Sequence, residues 1–418
     1  MKYLFLLFSV FFCSYIFAQN DVLNNQIYAN SSGNISVSGN GSFNSSTISN
    51  NFAKSFLLND YISSNQIDKT ISYLERSNHF GMDIIGRMDY LSKELKRTDS
   101  TTMRWQFTYR SVIHSDFDIS KNLFSLIFKG NKQFAGQNID LGHNSIQNLS
   151  YDNVMIQGIS KTIFPNSTHT IGIGVGLILG KQINSAYINN ASLYTEENGE
   201  YLDLSSNYSY YSSSNIPNYY KGYGINANGF YLIESEKNKY FFSFDNAGFI
   251  NWKSGGAIYR SDTTIRFEGV EVNDIFTNTN TINTDSIFQS ITGNEKDSGA
   301  FTRPIIPEIC FAYERAIDRN LSLQAALNLR VNGNFNPRFS GKIKYNFNSK
   351  FFVSLLASYG GYGFYNGNTK GIASIGLETA FNICKTWNIY LQLPYINGML
   401  FPDKLSGAAA FITLSKKL

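Results

Sequence analysis

The chain has 418 residues and a formal net charge of +4, with 15% aromatic and only 16% charged residues. That charge content is well below the roughly 25% of a soluble domain, and a near-neutral balance carries no signal for nucleic acid. The 27 Tyr, 34 Phe and 33 Gly against 7 Pro suit a membrane β-barrel. In such a barrel aromatics form girdles and a lipid-facing band, while Gly, Ser and Asn serve the lumen wall and the turns.

The first residues read as a secretory signal peptide. Lys2 supplies the positive start, residues 3–17 an apolar run, and Ala18 a small residue before the expected cut. Phe12 before Cys13 argues against a lipoprotein site. No later apolar run reaches helix-spanning length, which excludes an inner-membrane helical protein. Residues 19–53 are rich in Asn, Ser and Gly and are expected to be extended, with a short strand at 34–37. Residues 54–79 hold a greasy patch, Phe56, Leu57 and Leu58, and then a short helix through Glu75 with Ile67, Ile71 and Leu74 on one face. This unit is expected as a plug in the lumen or a periplasmic cap, with a helix packed on the barrel rim as the plainer alternative.

From residue 80 the pattern has period two. Phe80, Met82, Ile84, Met88 and Tyr90 share one face; Asp83, Arg87 and Asp89 share the other. Trp105, Phe107 and Tyr109 oppose Arg104, Gln106, Thr108 and Arg110. Residues 123–128 read as a short amphipathic helix across a barrel end, stopped by Gly130. Strands are expected at 151–162 and 170–183, the second alternating Ile171, Ile173, Val175 and Leu177 with glycines, followed by a hairpin of 222–232 and 240–252. Residues 184–218 and 267–299 look like long surface loops with strand extensions. Toward the C-terminus the hairpins are regular, with strands near 305–315, 321–331, 339–347, 351–359, 373–381, 387–393 and 405–414. About ten residues per strand is what a tilted strand needs to cross a bilayer. The sequence therefore predicts an all-β fold: a transmembrane antiparallel β-barrel of roughly 14 strands over 80–418. A soluble β-sandwich is the competing architecture.

No chemistry for catalysis stands out. His79, His114, His143 and His169 share no metal-ligand spacing. The Gly172-Ile173-Gly174-Val175-Gly176 run opens no helix, so it is no nucleotide loop and is expected to thin the lumen wall. No Gly-x-Ser-x-Gly elbow is present. The chain is read as not an enzyme, with no cofactor and no metal. Cys310 and Cys384 are expected as separate thiols, with a disulfide the alternative in an oxidising compartment. The candidate lumen-lining residues are Asp83, Arg87, Asp89, Arg104, Arg110, Glu308, Glu314, Arg330, Lys342, Lys344 and Glu378. They would form either a charged constriction that selects solutes or a mutually paired network that fills a closed barrel, and their mixed signs favour the second.

Several runs resemble a family of uncharacterised Bacteroidetes-type outer-membrane proteins defined only as a domain of unknown function. They are Asp116-Phe117-Asp118-Ile119, the stretch 126–132 with Gly136, Asp245 through Trp252, residues 60–78 and Ser358-Tyr359-Gly360-Gly361. Asn30-Ser31-Ser32 stands where many such barrels begin with Asn-Pro-Ala. The resemblance implies a barrel in the style of fatty-acid transporter channels and no established substrate. The expectation is an exported protein of the cell outer membrane, in contact with outer-membrane lipid, serving as a channel or transporter for small solutes, hydrophobic ones among them. The alternative is a non-transporting scaffold that docks a secreted or surface protein through its loops.

Overall fold

The computed structural model describes residues 32–268, 295–331, 333–362 and 374–418. The signal peptide expected at 1–18 and the bulk of the loop expected at 267–299 lie outside the described residues.

Fourteen strands of the described residues form one ring. In chain order they are β1 (Asn34–Ser45), β2 (Asn78–Leu91), β3 (Thr101–Ile119), β4 (Asn144–Phe164), β5 (Ser167–Thr195), β6 (Gly222–Ser235), β7 (Asn238–Phe267), β8 (Glu308–Ala316), β9 (Leu321–Arg330), β10 (Asn336–Asn348), β11 (Phe351–Gly361), β12 (Ser374–Asn382), β13 (Trp387–Leu393) and β14 (Ala408–Lys417). Each pairs antiparallel with its neighbours. The ring closes where β1 meets β14, from Asn34 opposite Lys417 to Phe43 opposite Ala408. Closure satisfies every ladder hydrogen bond within the sheet, the condition for a sheet to sit in hydrocarbon.

Why these residues make a barrel rather than a sandwich shows in which face is buried. On β5, Ile171, Ile173, Val175 and Leu177 are 46–65% exposed, and the glycines between them face in. On β3, Trp105, Phe107, Tyr109 and Ile113 are exposed while Arg104, Gln106, Thr108, Arg110 and His114 are buried. On β10, Phe339, Ile343, Tyr345 and Phe347 are exposed and Arg338 and Lys342 are buried. Side chains alternate across a strand, so the wall is apolar outside and largely polar inside. Water outside would reverse that order; a lipid belt requires it.

The two ends differ. Short turns at 165–166, 236–237, 317–320, 349–350 and 383–386 lie at one end. The longer connections lie at the other, the extracellular end by the rule for such barrels. There β5 and β7 run on past the ring, joined by the strand Leu202–Ser212, which bonds to both. The strand Glu295–Pro304 continues along β7, and Asn138–Asp140 along β5. The stretch 184–218, expected as a long surface loop with strand extensions, is thus largely a raised sheet built on those extensions.

Two N-terminal expectations change. The Asn/Ser/Gly segment 19–53 contains β1, the strand that closes the barrel, so the ring begins at Asn34 and not at residue 80. Asn34, Ser36, Asn40, Ser42 and Asn44 are buried facing the lumen, with Ile35 and Val37 exposed on the outside. Low apolar content does not prevent a strand whose inner face is polar. The following helices, α1 (Asn50–Leu57) and α2 (Ser64–Tyr73), are neither a lumen plug nor a periplasmic cap. They connect β1 to β2 at the long-connection end. With α3 (Lys121–Lys129) they cover the outward side chains Phe43, Phe80 and Phe117 in one apolar cluster that includes Phe52, Leu74 and Phe124. They are draped on the outside of the wall. Ser63 caps α2 in a capping box with Gln66. Gly130 caps α3 at φ 74°, a conformation that favours glycine.

Candidate functional site

The eleven charged residues singled out from the sequence all fall on the inward face, on the same parity as the buried polar residues of their strands. They do not form one ring. They divide into separate networks at different heights in the lumen.

The first network lies at the mouth on the long-connection side. Asp83 on β2 accepts from Arg330 on β9 at 3.0 Å and lies 2.6 Å from Nδ1 of His114. β2 and β9 are seven places apart in the ring of fourteen, so this pair spans the lumen from opposite walls. Arg330 also holds Glu308 on β8 at 2.7 Å. Tyr362, at the end of β11, donates to Asp116 on β3 at 3.0 Å, and Asn334 donates to the same carboxylate from the β9–β10 connection. The Tyr362 ring lies against Gly81, where an added Cβ would fall 1.9 Å from it, so only glycine accommodates the crossing there. Nearby, Arg338 donates to Tyr395 at 2.8 Å and to Ser358 at 2.7 Å, bringing the β13–β14 connection inward.

On the β2–β7 side the inner wall is apolar toward the long-connection end. Ile85, Val112, Tyr151, Ile178, Ile250, Trp252 and Phe301 form a buried cluster on the inward faces of β2 to β7 and the strand Glu295–Pro304. The next layer is polar. A cavity of about 60 Å³ is bounded by Arg87, Arg110, Asn153, Gln157, Asn226 and Asn228, and Arg110 donates to Asn246 on β7 at 2.8 Å. Below it comes a second apolar cluster, with Ile159, Phe230, Leu232, Phe241, Cys310 and Ala312. The remaining candidates pair locally: Arg87 with Asp89, Arg104 with Glu94, Lys342 with Glu378. The ammonium of Lys344 lies 4.5 Å from the Phe352 ring, and Glu314 is buried two strands away, opposite Gln324. The described residues thus fit the paired, lumen-filling arrangement. Removing one partner of such a buried pair strands the other at a cost of about 3–5 kcal/mol.

The glycine row of β5 does not thin the wall into an opening. β5 is paired without a gap to β6 from Ser167 to Gly180. The space its glycines leave is filled: a Cβ on Gly172 would lie 2.2 Å from Phe230, and one on Gly176 would lie 2.4 Å from Asn226. Cys310 is buried and Cys384 exposed, both as free thiols.

Sequence reasoning missed the two inner apolar clusters. Ile250 and Trp252 alternate with Phe249 and Asn251, and Ile178 with Leu177 and Leu179, so neither face stands out by polarity. The only available signal was strand parity counted outward from a confidently placed neighbour.

A family model described as a family of unknown function (DUF5723) matches residues 23–373. The chain belongs to that family. No curated protein matches it. Among solved structures, this DUF5723 chain is similar to the Pseudomonas putida toluene transporter TodX, at 7% identity over 94% of this chain and 91% of that one, with a TM-score of 0.41. It is similar to a TodX deletion mutant described as a monoaromatic hydrocarbon channel, at 8% identity over 97% and 96% of the chains and a TM-score of 0.46. It is also similar to a Pseudomonas aeruginosa FadL homologue, at 8% identity over 92% and 88% and a TM-score of 0.36.

Proposed function

We propose that this chain is an outer-membrane channel for small apolar solutes whose lumen rests shut. The observation that carries the reading is the pair of apolar clusters stacked inside a lumen that is otherwise polar, one around Trp252 and one around Phe230. A barrel that passed only hydrated solutes would gain nothing from lining its interior with Trp, Phe and Ile. An apolar solute crossing a polar lumen needs such stations, since transfer of apolar surface out of water is favourable by about 25 cal/mol per Å². The Asp83–Arg330 bridge and Tyr362 cross the lumen beside the Trp252 cluster and close it there. Opening would move these groups first. The exposed apolar belt supports residence in the outer membrane, and the placement of the short turns supports a periplasmic face at Cys384.

The test is entry of a small apolar fluorophore, N-phenyl-1-naphthylamine, into cells expressing the wild type, Trp252→Ala or no barrel. Faster entry with the wild type than with no barrel, reduced toward the no-barrel rate by Trp252→Ala, with no gain for a disaccharide of similar size, is the expected outcome. Equal entry in all three, from folded protein, overturns it. The scaffold reading draws on the raised sheet, where Arg303 packs 3.6 Å over Tyr211 and Arg266 4.0 Å over Tyr201. Aromatic and Arg-rich surfaces of this kind suit protein contacts.

A further inference from the structure

We infer that the outer wall of this barrel carries a binding site for a single alkyl chain, beneath α1 and α3 at the long-connection rim. The site is separate from the lumen, and binding there does not require the lumen to conduct.

A cavity of about 320 Å³ lies between the two helices and the wall. Phe52 and Phe56 come from α1, Phe124 and Ile127 from α3, and Phe117 and Ala186 from the outward faces of β3 and β5. Phe117, Ile146 and Ala186 sit side by side at one register across β3, β4 and β5, and the small Ala186 leaves the floor low. The roof is held by ring contacts: Phe52 to Phe124 and to Phe128, each at 5.5 Å, and Phe124 to Phe128 at 4.5 Å.

Three features select the occupant. First, the polar residues at the edge are already satisfied. Asp118 accepts from Ser77 and from the Asn78 backbone, and Asn144 accepts from Ser120 while donating to Leu141 and Gly142. No polar hook is left over for a headgroup, so what enters is hydrocarbon. Second, the rim is itself apolar and open. Phe56 is 58% and Ile127 61% exposed, with Leu57 and Leu58 beside them, continuous with the belt of exposed side chains on the wall below. The opening therefore faces bilayer hydrocarbon rather than bulk water. Third, the volume is about twice that of an apolar cavity of roughly 150 Å³ that takes one benzene. That admits one chain and leaves the rest of a multi-chain lipid outside.

Photocrosslinking of the full-length protein tests this in two arms. One uses palmitic acid with a terminal diazirine, added to protein in detergent. The other uses nanodiscs whose phosphatidylcholine carries the same diazirine chain. Crosslinks mapped by mass spectrometry to α1, α3, Phe117 or Ala186 are expected. Their appearance in the first arm alone assigns the chain to a free amphiphile, and in the second to a bilayer lipid. Ala186→Trp raises the floor. Displacing two methylenes of the chain costs about tenfold in affinity, and the pocket crosslinks should fall accordingly while those on the belt at Leu177 persist. Ala53→Leu, which fills the same space from the roof, should reproduce the fall, and heat-modifiable migration checks that both variants fold. Crosslinks scattered along the belt with none in the pocket, or unchanged yield in both folded variants, overturn the inference.

Discussion

The two halves of the barrel use their inner faces differently. From β9 to β12 the lumen side carries Gln324, Asn328, Lys342, Ser354 and Glu378, all buried and all polar. From β2 to β7 it carries Ile85, Val112, Ile178, Ile250 and Trp252, interrupted by the glycines of β5. The outer faces of both halves are apolar. The C-terminal half is thus largely a two-faced wall between a lipid belt and a polar lumen, with Ala326, Leu356 and Ala380 the apolar exceptions on its inner face, whereas the N-terminal half is apolar on both faces at one level. On the reading proposed above, an apolar solute would follow the β2–β7 side, and the Asp83–Arg330 pair, which joins the two halves, would close it.

Substitutions sharpen the comparison, beginning with the largest effects. Arg330→Met leaves Asp83 and Glu308 buried beside it without their cation, and should cost about 3–5 kcal/mol in urea titrations of the folded barrel. Pairing it with Asp83→Asn should recover part of that loss. On the other half, Trp252→Ala opens a cavity among Ile250, Tyr151 and Phe301 and should cost a similar 3–5 kcal/mol. A folded barrel that tolerates Arg330→Met without loss would remove the bridging wall, and one that tolerates Trp252→Ala would remove the packed one. Ile173→Arg, on the exposed face of β5, should cost about 2–4 kcal/mol when the protein folds into bilayers. In a soluble sandwich with water on that face the same change would be nearly silent. Gly172→Ala forces its Cβ onto Phe230 and should cost about 1–3 kcal/mol, while Gly86→Ala, whose Cβ would meet nothing within 4 Å, should be mild.

The smallest effect concerns topology. Cys384 lies in the short turn between β12 and β13 and is exposed. Hydrogen bonds from the Thr386 backbone and side chain, then the Trp387 backbone, lower its thiol pKa from the ordinary value. The thiolate is the reactive form, so labelling by an impermeant maleimide should persist to lower pH than for an ordinary thiol. It should occur only after the outer membrane is permeabilised. Labelling in intact cells would invert the barrel.

Legibility in the sequence follows the same division. The strands from β9 to β14 were readable almost residue by residue, because Ser322, Gln324, Lys342 and Lys344 alternate with large apolar neighbours. The charged lumen set was readable for the same reason: a mid-strand Asp83 or Arg330 opposite an apolar face has nowhere to go but a lumen. What parity could not give was the partner. Asp83 and Arg330 are 247 positions apart in the chain, and nothing local in either strand announces that they meet across the lumen. β1 was legible only as a short strand at 34–37; its full length was hidden by composition, since its inward Asn and Ser resemble a solvated linker. α2 and α3 were legible as helices and α1 was not; the placement of the N-terminal helices was left between lumen, cap and rim, because Phe52, Phe56 and Phe128 suit an outer wall and a lumen equally well.

Planar-bilayer recording of the wild type beside Arg330→Met tests the central claim, a membrane barrel held shut across its lumen. The account predicts no steady conductance from the wild type and discrete openings from the variant, both proteins showing heat-modifiable migration. A wild type that conducts steadily would contradict it, as would a folded Arg330→Met barrel that stays silent.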